Sequence, residues 1–188
     1  MKSFLAKFAT FFGYLFIVFS SLLMIQRYNP SRMSFNNYAP SLERACRNTP
    51  YLPRIIRIPS LGKELPIIPS TIDDDKWSTT DKGVSFLTSS KLPGERGNSV
   101  LYGHNWESIL GDLEKVKPGS EIQIEFSNGV KRTFIIQVTG TVSPDQTNIL
   151  KETQDKRITL YTCTGFLDSQ RFVVVATLEN ETVALRKD

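Results

Sequence analysis

Glu121-Ile122-Gln123-Ile124-Glu125-Phe126 alternates polar and apolar residues without a break, Ser127-Asn128-Gly129 interrupts the pattern, and Val130 to Val138 resumes it with Phe134, Ile136 and Val138 on one face. A period of two puts every second side chain on the same side of a pleated ribbon, so both runs predict half-buried strands. Asn-Gly between two such runs is a strong hairpin signal, because both residues tolerate positive φ. Upstream, Arg54 to Pro59 and Leu65 to Ile68 are short apolar pieces broken by proline, which confines them to edges or strand ends. Ser99 to Tyr102 and Ile158 to Thr162 predict two further strands. Phe172 to Leu178 (FVVVATL), nearly continuous and rich in β-branched residues, predicts a central one. Helical signal is sparse. Ile109, Leu110, Leu113 and Val116 share one face of a predicted helix over Glu107 to Val116, closed by Pro118-Gly119, and Asn148 to Gln154 predicts another turn or two. Such a set of short strands with few helices predicts a mainly β fold, either a closed antiparallel barrel or a sandwich.

The chain of 188 residues carries a formal charge of +4, but the charge is unevenly placed. Residues 1–63 hold nine Lys/Arg and one acid, a net +8, whereas residues 64–188 hold fourteen bases and eighteen acids, a net −4. The mildly acidic body offers no general basic surface, so no nucleic-acid partner is expected. Phe8 to Ile25 is eighteen residues without a charge. A helix of that length spans about 27 Å, close to the roughly 30 Å hydrocarbon core of a bilayer. It predicts a transmembrane anchor over residues 8–26 in contact with membrane lipid, after a cytoplasmic tail of residues 1–7. The region after it lacks the small-residue cleavage site of a removed signal peptide. Residues 27–53, with four prolines and no sustained period, predict an irregular extracytoplasmic stem. The body follows over 54–180, with a tail over 181–188. Two cysteines and one histidine cannot build a structural zinc cluster, and Asp73-Asp74-Asp75 has the wrong spacing for a calcium-binding loop. Cys46, in the stem, is expected to be free and dispensable.

Chemistry concentrates at strand ends. Cys163 directly follows the predicted strand Ile158 to Thr162, where rigid backbone opens into a loop, as an exposed nucleophile requires. His104, the single imidazole in the chain, ends the strand of Val100-Leu-Tyr-Gly-His in the same manner. Arg171 closes the loop that Cys163 opens, so if the two strands pair as neighbours both residues stand on one rim. A thiolate, an imidazole able to protonate a leaving amine and a fixed guanidinium able to donate to an oxyanion are together the parts of an acyl-transfer site. Each also has a plainer reading: a small buried thiol, a surface or capping histidine, a solvated arginine at a strand start.

Thr159-Leu160-Tyr161-Thr162-Cys163, followed eight residues later by Arg171 and a valine-rich strand, resembles the sortase signature TLxTC with its downstream arginine. Pro93-Gly94-Glu95-Arg96-Gly97-Asn98, leading to Gly103-His104, resembles the PGxxGN segment of the same family. The Gly111-Asp112-Leu113 stretch, Pro118-Gly119 and the hairpin beyond fall in family order, so the resemblance runs from about Arg54 to Leu178. It implies a closed, eight-stranded sortase-type β-barrel with one or two short helices, held outside the cell membrane by a single-pass anchor.

The implied activity is that of a cysteine transpeptidase that cleaves a C-terminal LPxTG-like sorting signal of a secreted protein. Cys163 would form a thioester, His104 would carry the proton, and Arg171 would orient the substrate and stabilise the tetrahedral intermediate, with Thr162 a neighbour in support. An amine from a cell-wall precursor or a pilin-like lysine would then take the acyl group. No metal or organic cofactor is implied. No Asp-Pro-aromatic lid segment of the pilin-polymerising kind precedes the first core strand. Specificity is expected in the loops Thr141 to Asp155 and Thr164 to Gln170. The alternatives are a membrane-tethered barrel that binds or scaffolds without catalysis, and a cysteine peptidase that releases its substrate to water.

Overall fold

The computed structural model describes residues 2–27, 33–36, 38, 51–73 and 76–179. Cys46, Asp74, Asp75 and the tail over 181–188 lie outside them. The chain divides into two units, an N-terminal helix and the body. The helix α1, Lys2–Arg27, contains a stretch from Lys7 to Ile25 that is long and apolar enough to cross a membrane. Its aromatic and aliphatic side chains, Phe8 to Ile25, are exposed on every face, which in water would be unfavourable and in lipid is the natural state.

The body is a closed barrel of eight strands in the order β1-β2-β5-β6-β9-β10-β8-β7. These are β1 Pro53–Ile58, β2 Lys63–Ser70, β5 Val84–Leu87, β6 Gly97–Tyr102, β7 Glu121–Phe126, β8 Lys131–Val142, β9 Lys156–Thr164 and β10 Gln170–Leu178. β3 Ile72–Asp73 and β4 Lys76–Trp77 form a separate two-stranded sheet. Closure leaves no free edge, yet two of the joins, β2 with β5 and β6 with β9, are parallel, so the barrel is not purely antiparallel. β2 also runs between two neighbours despite its prolines. Lys63–Pro66 pair with β1 and Ile67–Ser70 with β5, so each half is paired on one side only, which a residue lacking an N–H tolerates.

The Ser127–Val130 hairpin forms as its sequence predicts, though only Gly129 takes positive φ, at 82°. The Gly129 N–H donates to the Phe126 carbonyl, and the Asn128 side-chain oxygen accepts from Val130 N–H, so the asparagine serves as a local acceptor. Ile122, Ile124, Phe126, Phe134 and Ile136 point into the core, but Val138 is 61% exposed. The cause is a bulge: Val175 pairs with Val138 while Ala176 pairs with Ile136, so one extra residue of β8 reverses its alternation at that point. The predicted helix over Glu107 to Val116 is not helical. The segment is a chain of tight turns ending in a 3-10 turn, Leu113–Lys115, with Ile109, Leu113 and Val116 each donating to a carbonyl three residues back. Its four apolar residues are nevertheless buried. The second predicted turn is a 3-10 helix at Thr147–Leu150.

Two apolar clusters result. One fills the barrel, with Ile56, Phe86, Leu101, Ile122, Phe134 and Leu160 among its members. The other lies on the opposite side of the β5–β6–β9–β10 wall, because Val100, Tyr102, Tyr161, Cys163 and Val173 alternate with core-facing residues of the same strands. An outward apolar face needs a cover, and Trp77, Leu150, Met33 and Phe35 supply it.

Candidate active site

β9 and β10 pair antiparallel with Cys163 directly opposite Arg171, so the two side chains stand on the same face of the wall. On the other flank of β9 the parallel partner β6 sets Tyr102 beside Tyr161. The ladder continues past the end of β6, since Gly103 N–H donates to the Tyr161 carbonyl at 3.2 Å and the Thr162 hydroxyl to the Gly103 carbonyl at 2.8 Å. His104 therefore follows a residue locked to the one that precedes Cys163. The three residues singled out from the sequence come from three adjacent strands, and Thr162 is the clamp between two of them.

Cys163 and Arg171 are each only 3% exposed, which fits neither an open nucleophile nor a solvated arginine. What covers them is a part of the segment read as a stem. Met33, Ser34 and Phe35 form a strap across the wall: the Cys163 thiol lies 3.1 Å from the Met33 sulfur, and the Tyr161 hydroxyl donates to the Met33 carbonyl at 3.0 Å. Arg171 Nη2 donates to the Ser34 carbonyl at 2.8 Å, while Nη1 donates to the carbonyls of Asp168 and Gln170. Arg171 Nε, also buried, has no acceptor among the described residues. The Phe35 ring fits edge-on against Tyr161, with centroids 5.0 Å apart, and tilts against Trp77, under the Arg171 guanidinium. Asn36 ties the far end to the body through Pro144 and Asp145.

Beneath the strap, Tyr102 and Tyr161 stack at 5.4 Å and Trp77 meets Tyr102 edge-on at 5.2 Å. Burial pushes the Tyr102 phenol up to about 12 and the Tyr161 phenol well above its usual 10, so both are neutral donors. The Ile149–Leu150 segment, part of the cover over the outer apolar face, is held by Asn98. Its amide donates to the carbonyls of Ile149 and Lys151, and its oxygen accepts from the Thr159 hydroxyl. His104 is half-buried, and burial holds its imidazole below the usual 6.5 against the opposing pull of the Asp81 and Asp168 carboxylates. The loop from Cys163 to Arg171 places Leu167 and Asp168 at positive φ, 53° and 58°, a cost that side chains other than glycine rarely accept away from functional sites.

Met33, Phe35 and Trp77 carried no motif in the sequence, and Tyr102 was visible only as a residue of the strand leading to His104. The only trace was the apolar spacing of Met33 and Phe35 in an otherwise aperiodic stretch, and Tyr161 was visible only as the variable position of TLxTC.

Residues 56–179 match the family described as Sortase domain. Among curated proteins, the chain is 28% identical over 124 residues to Sortase A of Bacillus anthracis, covering 64% of this chain and 56% of that protein. It is 32% identical over 113 residues to Sortase D of Bacillus subtilis, covering 60% and 54% respectively. The chain thus spans little more than half the length of these two relatives. Among solved structures, a Clostridium perfringens Sortase D5 transpeptidase superposes with a TM-score of 0.58 at 26% identity, over 67% of this chain and 78% of that one. With the barrel, the order of its motifs and this match in agreement, the chain belongs to the sortase family.

Proposed function

We propose that the protein is a membrane-anchored cysteine transpeptidase that cleaves a C-terminal LPxTG-like sorting signal and passes the acyl group to an amine of the cell envelope or of a pilin-like subunit. The observation that carries this reading is the direct pairing of Cys163 with Arg171 on a face that already holds a short peptide segment. The strap is that peptide, with carbonyls on the Tyr161 hydroxyl and Arg171 and an aromatic side chain between Tyr161 and Trp77.

In the proposed cycle the neutral imidazole of His104 takes the Cys163 proton, and the thiolate adds to the scissile carbonyl. The negative charge that develops on the carbonyl oxygen is met by Arg171, whose Nε–H has no other acceptor among the described residues. The C–N bond breaks as His104 returns the proton to the leaving amine, which leaves a thioester on Cys163. The acceptor amine adds to the thioester carbonyl, its proton passes to His104, the C–S bond breaks and the thiol is restored. Orientation with the body outside the membrane follows from the substrate's location. Before any of this, the incoming signal must displace the strap.

The test is mass spectrometry of products from a library of LPxTG-like peptides incubated with glycine and lysine amines. An amine-linked product absent with Cys163→Ala supports the reading. Peptide released to water at the same rate with and without amine makes the protein a peptidase, and no turnover of any member with the strap removed makes it a binding module.

A further inference from the structure

His104 must present a ring nitrogen in a fixed direction to carry a proton between thiol and amine, yet a histidine side chain at the end of a strand rotates about two bonds. Its ring is flanked by that of Trp106, with centroids 4.4 Å apart and planes inclined by only 10°. The backbone at both positions is fixed. The His104 carbonyl accepts from Leu110 N–H, and the Trp106 carbonyl accepts from both Ile109 and Gly111 N–H. Gly111 is required for that double acceptance, because a β-carbon there would sit 2.7 Å from the Trp106 carbonyl carbon and 2.8 Å from Glu107 N. Trp106 is itself half-buried against the barrel's main core, so it connects the packed body to the imidazole.

We propose that Trp106 is the positioning residue for His104, its indole face holding the imidazole in the single plane from which proton transfer proceeds. The proposal rests on the role given to His104 above. Flat stacking suits this purpose, since it restricts rotation and covers one face while leaving both ring nitrogens at the edge, free to bond.

Because His104 is the only histidine in the chain, its ring protons give single, unambiguous NMR signals. In the wild type they should lie upfield of free histidine, shifted by the indole ring current. Trp106→Phe, which keeps an aromatic face, should retain a smaller shift, and Trp106→Leu, which keeps apolar volume without a face, should lose it. In peptide turnover, Trp106→Leu should lower kcat about 2- to 12-fold, the value of one aromatic pair, with KM unchanged and most of the loss restored in Trp106→Phe. Wild-type signals at free-histidine positions, or equal kcat for the Leu and Phe variants, would overturn the proposal. If Trp106→Leu prevents folding, the wild-type shift and its reduction in Trp106→Phe still decide the matter. The NMR readout needs no substrate, so an absence of turnover even with the strap removed would refute the enzyme reading while leaving the stacking result to stand or fall by itself.

Discussion

Phe35→Ala should unlock the site. The ring is 3% exposed, and burying a side chain of this size is worth about 1.5–3 kcal/mol, to which the contacts with Tyr161 and Trp77 add about 0.5–1.5 kcal/mol. Removing them weakens the docked strap by about 2–4.5 kcal/mol, which at 1.4 kcal/mol per decade raises the undocked population about 30- to 1,600-fold. The other ties, Met33 to Cys163 and Tyr161 and Ser34 to Arg171, remain, so the barrel itself should be unaffected. The assay is the rate at which a methanethiosulfonate reagent labels Cys163 in a Cys46→Ser background, where Cys163 is the sole thiol. When the strap recloses faster than the reagent reacts, the rate tracks the undocked fraction. A urea melt of the same variant separates local from global opening. A labelling rate within threefold of the parent, with the protein folded, would refute the idea that this strap governs access to the thiol.

Three further outcomes follow from the geometry. Arg171→Lys should act in opposite directions on two assays, raising Cys163 labelling through loss of the Ser34 tie while lowering peptide turnover about 10²-fold or more, because an ammonium cannot reproduce the fork; equal turnover would remove Arg171 from the oxyanion role. Val138→Asp should leave the urea midpoint nearly unchanged, within about 0.5 kcal/mol, whereas Ile136→Asp should abolish folding, and the reverse would misplace the bulge. In an alkaline titration followed by phenolate absorbance, Tyr102 and Tyr161 should stay protonated in the native protein after exposed tyrosines ionise. Their folded values lie above the unfolded value of about 10, so the stability they contribute is complete below pH 10 and is lost as pH rises toward 12, by about 2–3 kcal/mol for Tyr102. Six phenolates appearing before unfolding would contradict it.

What the sequence revealed was whatever is decided locally. The Glu121–Phe126 alternation and Asn128-Gly129 are settled by residues within reach of one another, and the hairpin appears in register. Cys163 and Arg171 were legible as a pair because a short loop between two strands leaves few ways to place its ends. Val138 was misread because the extra residue that turns it outward is imposed by the distant strand β10. In Glu107–Val116 the apolar spacing identified the buried residues but not the hydrogen bonds, since Gly111 against the Trp106 carbonyl favours turns over an α-helix. The strap was invisible for a different reason: Met33 and Phe35 are ordered by a surface made of β6, β9 and β10, and nothing in their own neighbourhood announces it.

The pairing of Cys163 with Arg171 is fixed by the β9–β10 ladder, which runs in unbroken register from Gln170 opposite Thr164 to Thr177 opposite Arg157. The five residues between the strands therefore do not set the separation of the two groups. That connection can lengthen, shorten or exchange its sequence without changing the register, provided a carbonyl still meets Arg171 Nη1 where that of Asp168 does, whereas a single residue inserted within β9 would turn the thiol into the barrel. Variation between descendants of such a chain is thus channelled into the connection, and an engineer can graft there while keeping the carbonyl that meets Arg171 and leaving the strands untouched.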